Sequence, residues 1–283
     1  MVSEAPPPPL LIGGKEFRWG ERTYIMGVVN VTPDSFSGDG LAYDVAAAVK
    51  QAIQMRHDGA DIIDIGGEST RPGFETVPVE EEIRRTLPVI QALRKELDIP
   101  LSIDTYKPEV ARAALEAGAA LLNDIHGFQA DPAMAALAIE YQVPAVLMHN
   151  QRGRPFRDVV SNILEGWEES LRIAGQMGVP QERIILDPGF NFGWKTEQTL
   201  EMLRRLRELR APGRPLLIGT SRKSTIGMVL GLPVEERLEG TAATVAIAIA
   251  NGVDMVRVHD VREMTRVARM SDAIVRGWRL EDA

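Results

Sequence analysis

The chain has 283 residues, 45% of them hydrophobic, and a formal net charge of −8; a single α/β barrel of roughly 250 residues would use nearly all of it. The acidic balance argues against nucleic acid as the main partner, because such binders carry an overall basic surface. The absence of cysteine excludes disulfides, thiolate zinc sites and cysteine nucleophiles. No apolar run approaches the roughly 20 residues of a membrane span, and the N-terminus lacks the basic flank and apolar stretch of a secretory signal, so a cytoplasmic protein is expected.

Residues 6–9 are a polyproline tract, expected to form an unpacked arm. Residues 17–22 read as a small hairpin around Gly20, which gives an N-terminal segment over 1–23. From Tyr24 onward, short Val- and Ile-rich runs alternate with longer helical patterns. Strands are predicted over 24–29, 61–65, 101–103, 121–122, 145–148, 184–186, 216–218 and 255–258. Helices are predicted over 42–58, 80–96, 108–117, 132–141, 159–177, 196–209, 234–251 and 262–276. Eight alternations without hairpin signals imply parallel strands joined by crossover helices. The continuous apolar character of the runs fits strands buried on both faces. The predicted fold is therefore an α/β (β/α)8 TIM barrel over 24–278, a single domain carrying a short N-terminal hairpin and arm.

In such a barrel, function gathers at the C-terminal ends of the strands. Here the strands run into Asn30, Asp64, Asp104, Asn123, Asp187 and the segment Arg257-Val258-His259-Asp260, while the seventh leads into GTSRKS. Nearly every strand thus delivers a polar or charged residue to one rim. Taken singly, each has an ordinary reading: a strand-end Asp or Asn caps a helix, and a lone Arg is solvated.

The runs MGVVNVTPDSFSGDG (26–40) and DIIDIGGESTRPG (61–73), followed by SIDTYKPEV, LLNDIHG, ILDPGF, GTSRKSTIG and RVHDV, resemble the signatures of the dihydropteroate synthases in order and spacing. The resemblance runs from about Tyr24 to Val275. It implies a transferase that joins 6-hydroxymethyl-7,8-dihydropterin pyrophosphate to p-aminobenzoate, both small molecules, with Mg2+ as cofactor. A homodimer through the last helices, near 241–250, is implied as well, although that apolar helix could equally be covered within its own chain.

Asp104, Asn123 and Asp187 are then the partners of the pterin's aminopyrimidinone edge. A carboxylate accepts from the ring N–H and exocyclic amine, and Asn answers a mixed donor–acceptor pair. Met148 and Phe190 are expected to form an apolar wall. Asp64 reads either as a further ligand or as a rim organiser. The phosphate set is Asn30, Arg71, Arg257 and His259: the guanidinium fork matches phosphate oxygens, and Asn30 is the implied Mg2+ ligand. Lys223 is assigned to the pterin carbonyl and ring nitrogen, and Ser221 to the p-aminobenzoate site. Asp34 and Phe36 lie in the first loop, Thr70 and Pro72 in the second. These loops read either as merely exposed segments or as lids that complete the p-aminobenzoate pocket. The implied catalytic set is Asp34, Arg71, Lys223 and Arg257. Cleavage of the pterin methylene C–O bond is expected to be SN1-like, since the ring stabilises a cation and a neutral arylamine needs no strong base. The run DPGFNFGWKTEQTL carries an apparent extra residue relative to the family pattern, so Lys195 is not carried over. The LMHNQRGRPF run also departs from that pattern, beyond Met148.

Overall fold

The computed structural model describes residues 6–32, 45–69 and 76–278. The apolar runs form eight parallel strands: β3 (Tyr24–Asn30), β4 (Ile62–Gly66), β5 (Leu101–Asp104), β6 (Leu121–Asp124), β7 (Ala145–Met148), β8 (Ile184–Asp187), β9 (Leu217–Ile218) and β10 (Met255–Val258). Their order is β8-β7-β6-β5-β4-β3-β10-β9. A parallel bridge between Leu186 and Leu216 brings the sheet ends together. The result is a nearly closed barrel, and parallel pairing makes each connection a crossover. The crossovers carry α1 (Val45–His57), α2 (Val79–Glu96), α3 (Pro108–Glu116), α4 (Ala133–Glu140), α5 (Val159–Met177), α6 (Thr196–Arg204), α7 (Ser224–Leu230) and α8 (Leu238–Ala250), and α9 (Val261–Val275) follows β10.

Strand side chains alternate between faces, and that alternation builds the site. Ile63, Ile65, Leu122, Leu147, Leu186 and Val256 belong to the outer core, between sheet and helices. Ile62, Leu121, Val146, Ile185 and Met255 fill the barrel interior. Two residues further along each of these strands stand Asp64, Asn123, Met148, Asp187 and Arg257. The same parity that packs the interior therefore turns these five side chains toward the barrel axis at its upper rim.

The lower end is closed by a hairpin of β1 (Leu10–Ile12) and β2 (Lys15–Phe17). Its turn is Gly13-Gly14, with φ of 55° and 81°, values that glycine adopts without a Cβ penalty. The hairpin thus lies before the 17–22 segment where the sequence suggested it; Gly20 belongs to the connection into β3. Leu10, Ile12, Phe17 and Trp19 share one cluster with the interior residues Tyr24 and Met26. Burying such large side chains contributes about 1.5–3 kcal/mol each. The polyproline tract is also less free than expected, for Pro7 is buried.

Two helices predicted as continuous are broken. The 196–209 pattern ends as α6 at Arg204 and continues as a 3-10 turn over Leu206–Arg210. The 234–251 pattern splits into a 3-10 turn at Val234–Glu236 and α8. At that break the Arg237 guanidinium turns back to donate to Arg222 O at 3.0 Å and Leu232 O at 3.2 Å. By contrast α5 has the predicted bounds. Asp158 caps its start by accepting from Ser161 N–H at 3.0 Å, and Gly178, at φ 86°, stops it. No helix among the described residues is long and apolar enough to cross a membrane.

Candidate active site

Strand register sets the first row of the site. Asn30 pairs with Gly66, Gly66 with Asp104, and Asp104 with Asn123. Gly66 has no side chain, so a cradle lies over it: a Cβ there would be 3.6 Å from Asp104 Oδ2 and 3.8 Å from Asn30 Oδ1. Arg257 reaches into the row from β10. Its Nε donates to Asp64 Oδ2 and one Nη to Asp104 Oδ2, both at 2.6 Å. Asn123 Nδ2 donates to the same Asp64 oxygen at 3.0 Å. Asp64 is wholly buried, so its charge must be answered inside the protein. Burial raises the Asp104 carboxyl against the opposing pull of Arg257. Burial opposes the charge on Arg257 too, but Asp64 and Asp104 hold the guanidinium protonated. The two bonds occupy two of its five N–H donors.

The loops after β8, β9 and β10 supply the rest. Asp187 accepts from Gly189 N–H at 2.7 Å, and burial pushes its carboxyl up to about 6. Lys223 Nζ lies 4.5 Å from the centre of the Phe192 ring, and the Arg152 guanidinium 4.9 Å from it. Both distances are within cation–π range. Burial, reinforced by Arg257, brings the Lys223 ammonium down to about 8. His259 Nδ1 is 3.0 Å from Ser221 Oγ, and the His259 backbone N–H donates to the same hydroxyl oxygen at 3.2 Å. Burial and then Arg257 lower the His259 imidazole to about 3, so it is neutral near pH 7. Arg222, between Ser221 and Lys223, takes a left-handed φ of 56° and forks onto Asp260, with Nε 3.0 Å from Oδ2. That ion pair ties the β9 loop to the end of β10 and fixes where Ser221 and Lys223 emerge. Met148, Ile125 and Phe192 form an apolar wall, with Tyr106 packed against it.

Residues 26–259 match the family described as pterin binding enzymes. The chain belongs to that family. Within it the chain is similar to the dihydropteroate synthase of Clostridium beijerinckii, at 54% identity over 94% of this chain and 99% of the relative. The dihydropteroate synthase of Clostridium difficile, solved in the presence of pteroic acid, superposes with a TM-score of 0.89 at 50% identity, covering 92% of this chain and 99% of the other. The Xanthomonas albilineans enzyme with 4-aminobenzoic acid gives 0.89 at 40% identity, over 95% and 98% of the two chains.

In this pterin-binding barrel the structure brings Asn30, Asp104, Asn123, Met148, Asp187, Ser221, Lys223, Arg257 and His259 to one rim. Asp64 lies beneath them as the organiser of Arg257 and Asn123. Phe190 is placed differently from the sequence reading. It packs in the outer core, and the aromatic on the wall beside Met148 is Phe192. Left-handed backbone at Gly189 (φ 71°) and Asn191 (φ 72°) turns the two phenylalanines to opposite sides. Gly189 is required there, since a Cβ would come within 1.9 Å of His149 O. Asp34, Phe36, Thr70, Arg71 and Pro72 lie outside the described residues. Sequence reasoning missed Arg152, Phe192 and the Arg222–Asp260 pair. The departure of the LMHNQRGRPF run from the family pattern was the one available signal for Arg152. Lys195 is exposed and stands at the start of α6, while the neighbouring Trp194 is buried 5.6 Å from His149.

Proposed function

We propose that this family member condenses 6-hydroxymethyl-7,8-dihydropterin pyrophosphate with p-aminobenzoate, giving 7,8-dihydropteroate and pyrophosphate. The observation that carries this reading is the convergence of Asp104, Asn123 and Asp187 on one rim, facing an apolar wall and two cations, Lys223 and Arg257. The carboxylates and Asn123 suit the aminopyrimidinone edge of a pterin, Met148 and Phe192 its flat faces, and Lys223 its carbonyl.

The C–O bond at the exocyclic methylene breaks with its electron pair leaving on pyrophosphate. The arylamine nitrogen lone pair then forms the C–N bond, and its proton is released to water. Positive charge on the pterin methylene is favoured by Asp104 and Asp187 against its ring edge, which makes an SN1-like path the fitting one. Arg257 N–H donors, the neutral His259 and Arg71 are assigned to the leaving anion. Ser221, Thr70 and Pro72 are assigned to p-aminobenzoate, and Asp34 to the first loop's part in catalysis. No general base is needed, because an aniline nitrogen is unprotonated at neutral pH.

Among the described residues no group of three or more His, Cys, Asp or Glu is arranged to hold a metal ion. The cradle over Gly66 presents the Asn30 amide oxygen, a hard-oxygen donor that fits Mg2+ arriving with its phosphates and water. Asn30 would hold it, and the ion when bound would neutralise charge on the pyrophosphate.

A homodimer is proposed from the surface. Met228 and Val229 of α7, Ile247 of α8, and Met270 and Ile274 of α9 are all exposed. The face of α8 carrying Thr241, Val245 and Ala248 is covered within the chain, so only its Ile247 side is available. Light scattering should give twice the chain mass, reduced to one by Ile274→Glu with Met270→Glu.

The deciding experiment measures pyrophosphate release with the dihydropterin pyrophosphate and Mg2+, with and without p-aminobenzoate, and identifies the product. Dihydropteroate that depends on both substrates supports the reading. Tight pterin binding without turnover would make the chain a silent binder, and no binding would remove the pterin reading altogether.

A further inference from the structure

The two runs that depart from the family pattern, one after β7 and one after β8, meet each other in the fold. The His149 and Trp194 rings have centroids 5.6 Å apart, and Phe156 meets Trp194 edge-on at 6.4 Å. The backbones touch as well. Gln151 N–H donates to Phe192 O at 3.1 Å, and a Cβ at Gly193, whose φ is 82°, would stand 2.7 Å from Gln151 C. The β7 and β8 loops therefore pack as one unit. Phe192, whose ring stands on the wall with Met148 and Ile125, belongs to it.

His149 stands at the centre of that unit. It is 1% exposed, and its ring lies on α5 where Gly166 has no side chain: a Cβ there would be 2.7 Å from His149 Cε1. Its backbone N–H donates to Asp187 O at 2.8 Å, a carbonyl that also accepts from Trp167 Nε1 at 3.1 Å. Its ring Nε2 is 2.9 Å from Gln151 Oε1. Gln151, also buried, donates its side-chain amide to Arg154 O at 3.2 Å and Pro155 O at 3.3 Å. The amide oxygen therefore faces the imidazole, and Nε2 carries the ring hydrogen. His149 Nδ1 and Trp194 Nε1 have no hydrogen-bond partner among the described residues. Burying a polar ring with one nitrogen unpaired is unfavourable, and an apolar side chain would fill the space without that penalty. What the imidazole does that an apolar side chain cannot is anchor the Gln151 amide. That amide closes the turn which brings Phe156 against Trp194 and the Gln151 N–H against Phe192 O.

We propose that His149 and Trp194 are positioning residues for the pterin ring: they pin the β7 loop to the β8 loop and so set Phe192 on the wall. This rests on the assignment above of Met148 and Phe192 to the pterin's flat faces. The pair acts through Phe192, whose ring also lies 4.5 Å from Lys223 Nζ, rather than on the substrate itself.

The test uses the full chain and reads binding of the oxidised, unreactive ring 6-hydroxymethylpterin by calorimetry, together with the KM of each substrate and Tm. The variants are Trp194→Leu, His149→Leu, Phe192→Ala, and Phe192→Ala combined with Trp194→Leu. Trp194→Phe keeps an aromatic ring in place, so it remains informative if a larger change does not fold. The expected result is a pterin Kd raised about 10-fold in Trp194→Leu and in His149→Leu, a coupling of the order found between residues in contact. Trp194→Phe should raise it by a smaller factor. The p-aminobenzoate KM should stay within about twofold, the range within which independent sites add. Because the pin acts through Phe192, adding Trp194→Leu to Phe192→Ala should weaken pterin binding no further. A lowered Tm with the pterin Kd unchanged, or a further loss of binding in the combined variant, would overturn the pin and leave a structural contact between loops. Failure of the unsubstituted chain to bind 6-hydroxymethylpterin would instead overturn the pterin reading, and the pin's role with it.

Discussion

Arg257→Met separates the two duties of the guanidinium, holding the rim together and meeting the leaving anion. The substitution keeps length and apolar stem but removes the charge. Asp64, wholly buried, is left with Asn123 on Oδ2, and Asp104 loses its 2.6 Å partner. Breaking a buried pair from one side costs about 3–5 kcal/mol, because the surviving charge stays desolvated. At about 2–4 °C per kcal/mol for a chain of this size, Tm should fall by about 6–20 °C at pH 7. The loss should shrink toward pH 5, since the Asp104 carboxyl, raised by burial and freed of Arg257, can escape its penalty by taking up a proton. Adding Asp64→Asn removes one stranded charge, so the double variant should be more stable than Arg257→Met alone, a coupling that a double-mutant cycle reads directly. Activity should not follow stability. The anion donors are absent in both variants, and kcat/KM should be down by about 10²–10³-fold in each. Differential scanning fluorimetry and pyrophosphate release on the same preparations give both quantities. A Tm for Arg257→Met within about 1 °C of the parent, or a double variant that regains activity along with stability, would refute this account of the rim.

The pH dependence of kcat/KM for the dihydropterin pyrophosphate should be bell-shaped. The binding forms of Asp104 and Asp187 are carboxylates, and burial raises both, Asp187 to about 6 and Asp104 further, so activity is lost as pH falls through their range; Lys223, lowered to about 8, loses its ammonium as pH rises through it. A profile flat from pH 5 to 9 would contradict both assignments. Phe192→Ala should raise the KM of the pterin substrate with a modest change in Tm. Phe190→Ala, emptying the outer core, should cost about 3–5 kcal/mol of stability and leave that KM nearly unchanged; the reverse pattern would mean the wall is wrongly drawn. Asn30→Ala should shift the Mg2+ concentration for half-maximal activity upward by about 10-fold, measured by titrating Mg2+ into chelator-treated protein, and no shift would remove Asn30 as a ligand.

The parts of this site that were legible in the sequence are those governed by a local period. Asp64, Asn123, Asp187 and Arg257 each stand two residues beyond an apolar interior position, and strand alternation alone turns them to the axis. The hairpin was misplaced because Gly13-Gly14 and Gly20 are equal turn signals, and only packing of Leu10 and Ile12 under the barrel selects the first. Phe190 and Phe192 show the same limit inside the site. They are two apart, as on a strand, but left-handed backbone at Gly189 and Asn191 cancels the strand rule and sends them to different cores. Charged pairs lie further still from local rules: Arg222 meets Asp260 38 residues away, and Lys107 meets Glu68 39 residues away. Neither pairing follows from propensity or period, because the parallel pairing of β9 with β10 and of β4 with β5 is what makes their following loops neighbours. Strand ends deliver the groups that face a pterin, while the ion pairs between adjacent loops decide where those groups stop. Residues of the second kind should therefore be sought at the junctions between neighbouring loops, where Lys107 meets Glu68 and Arg222 meets Asp260.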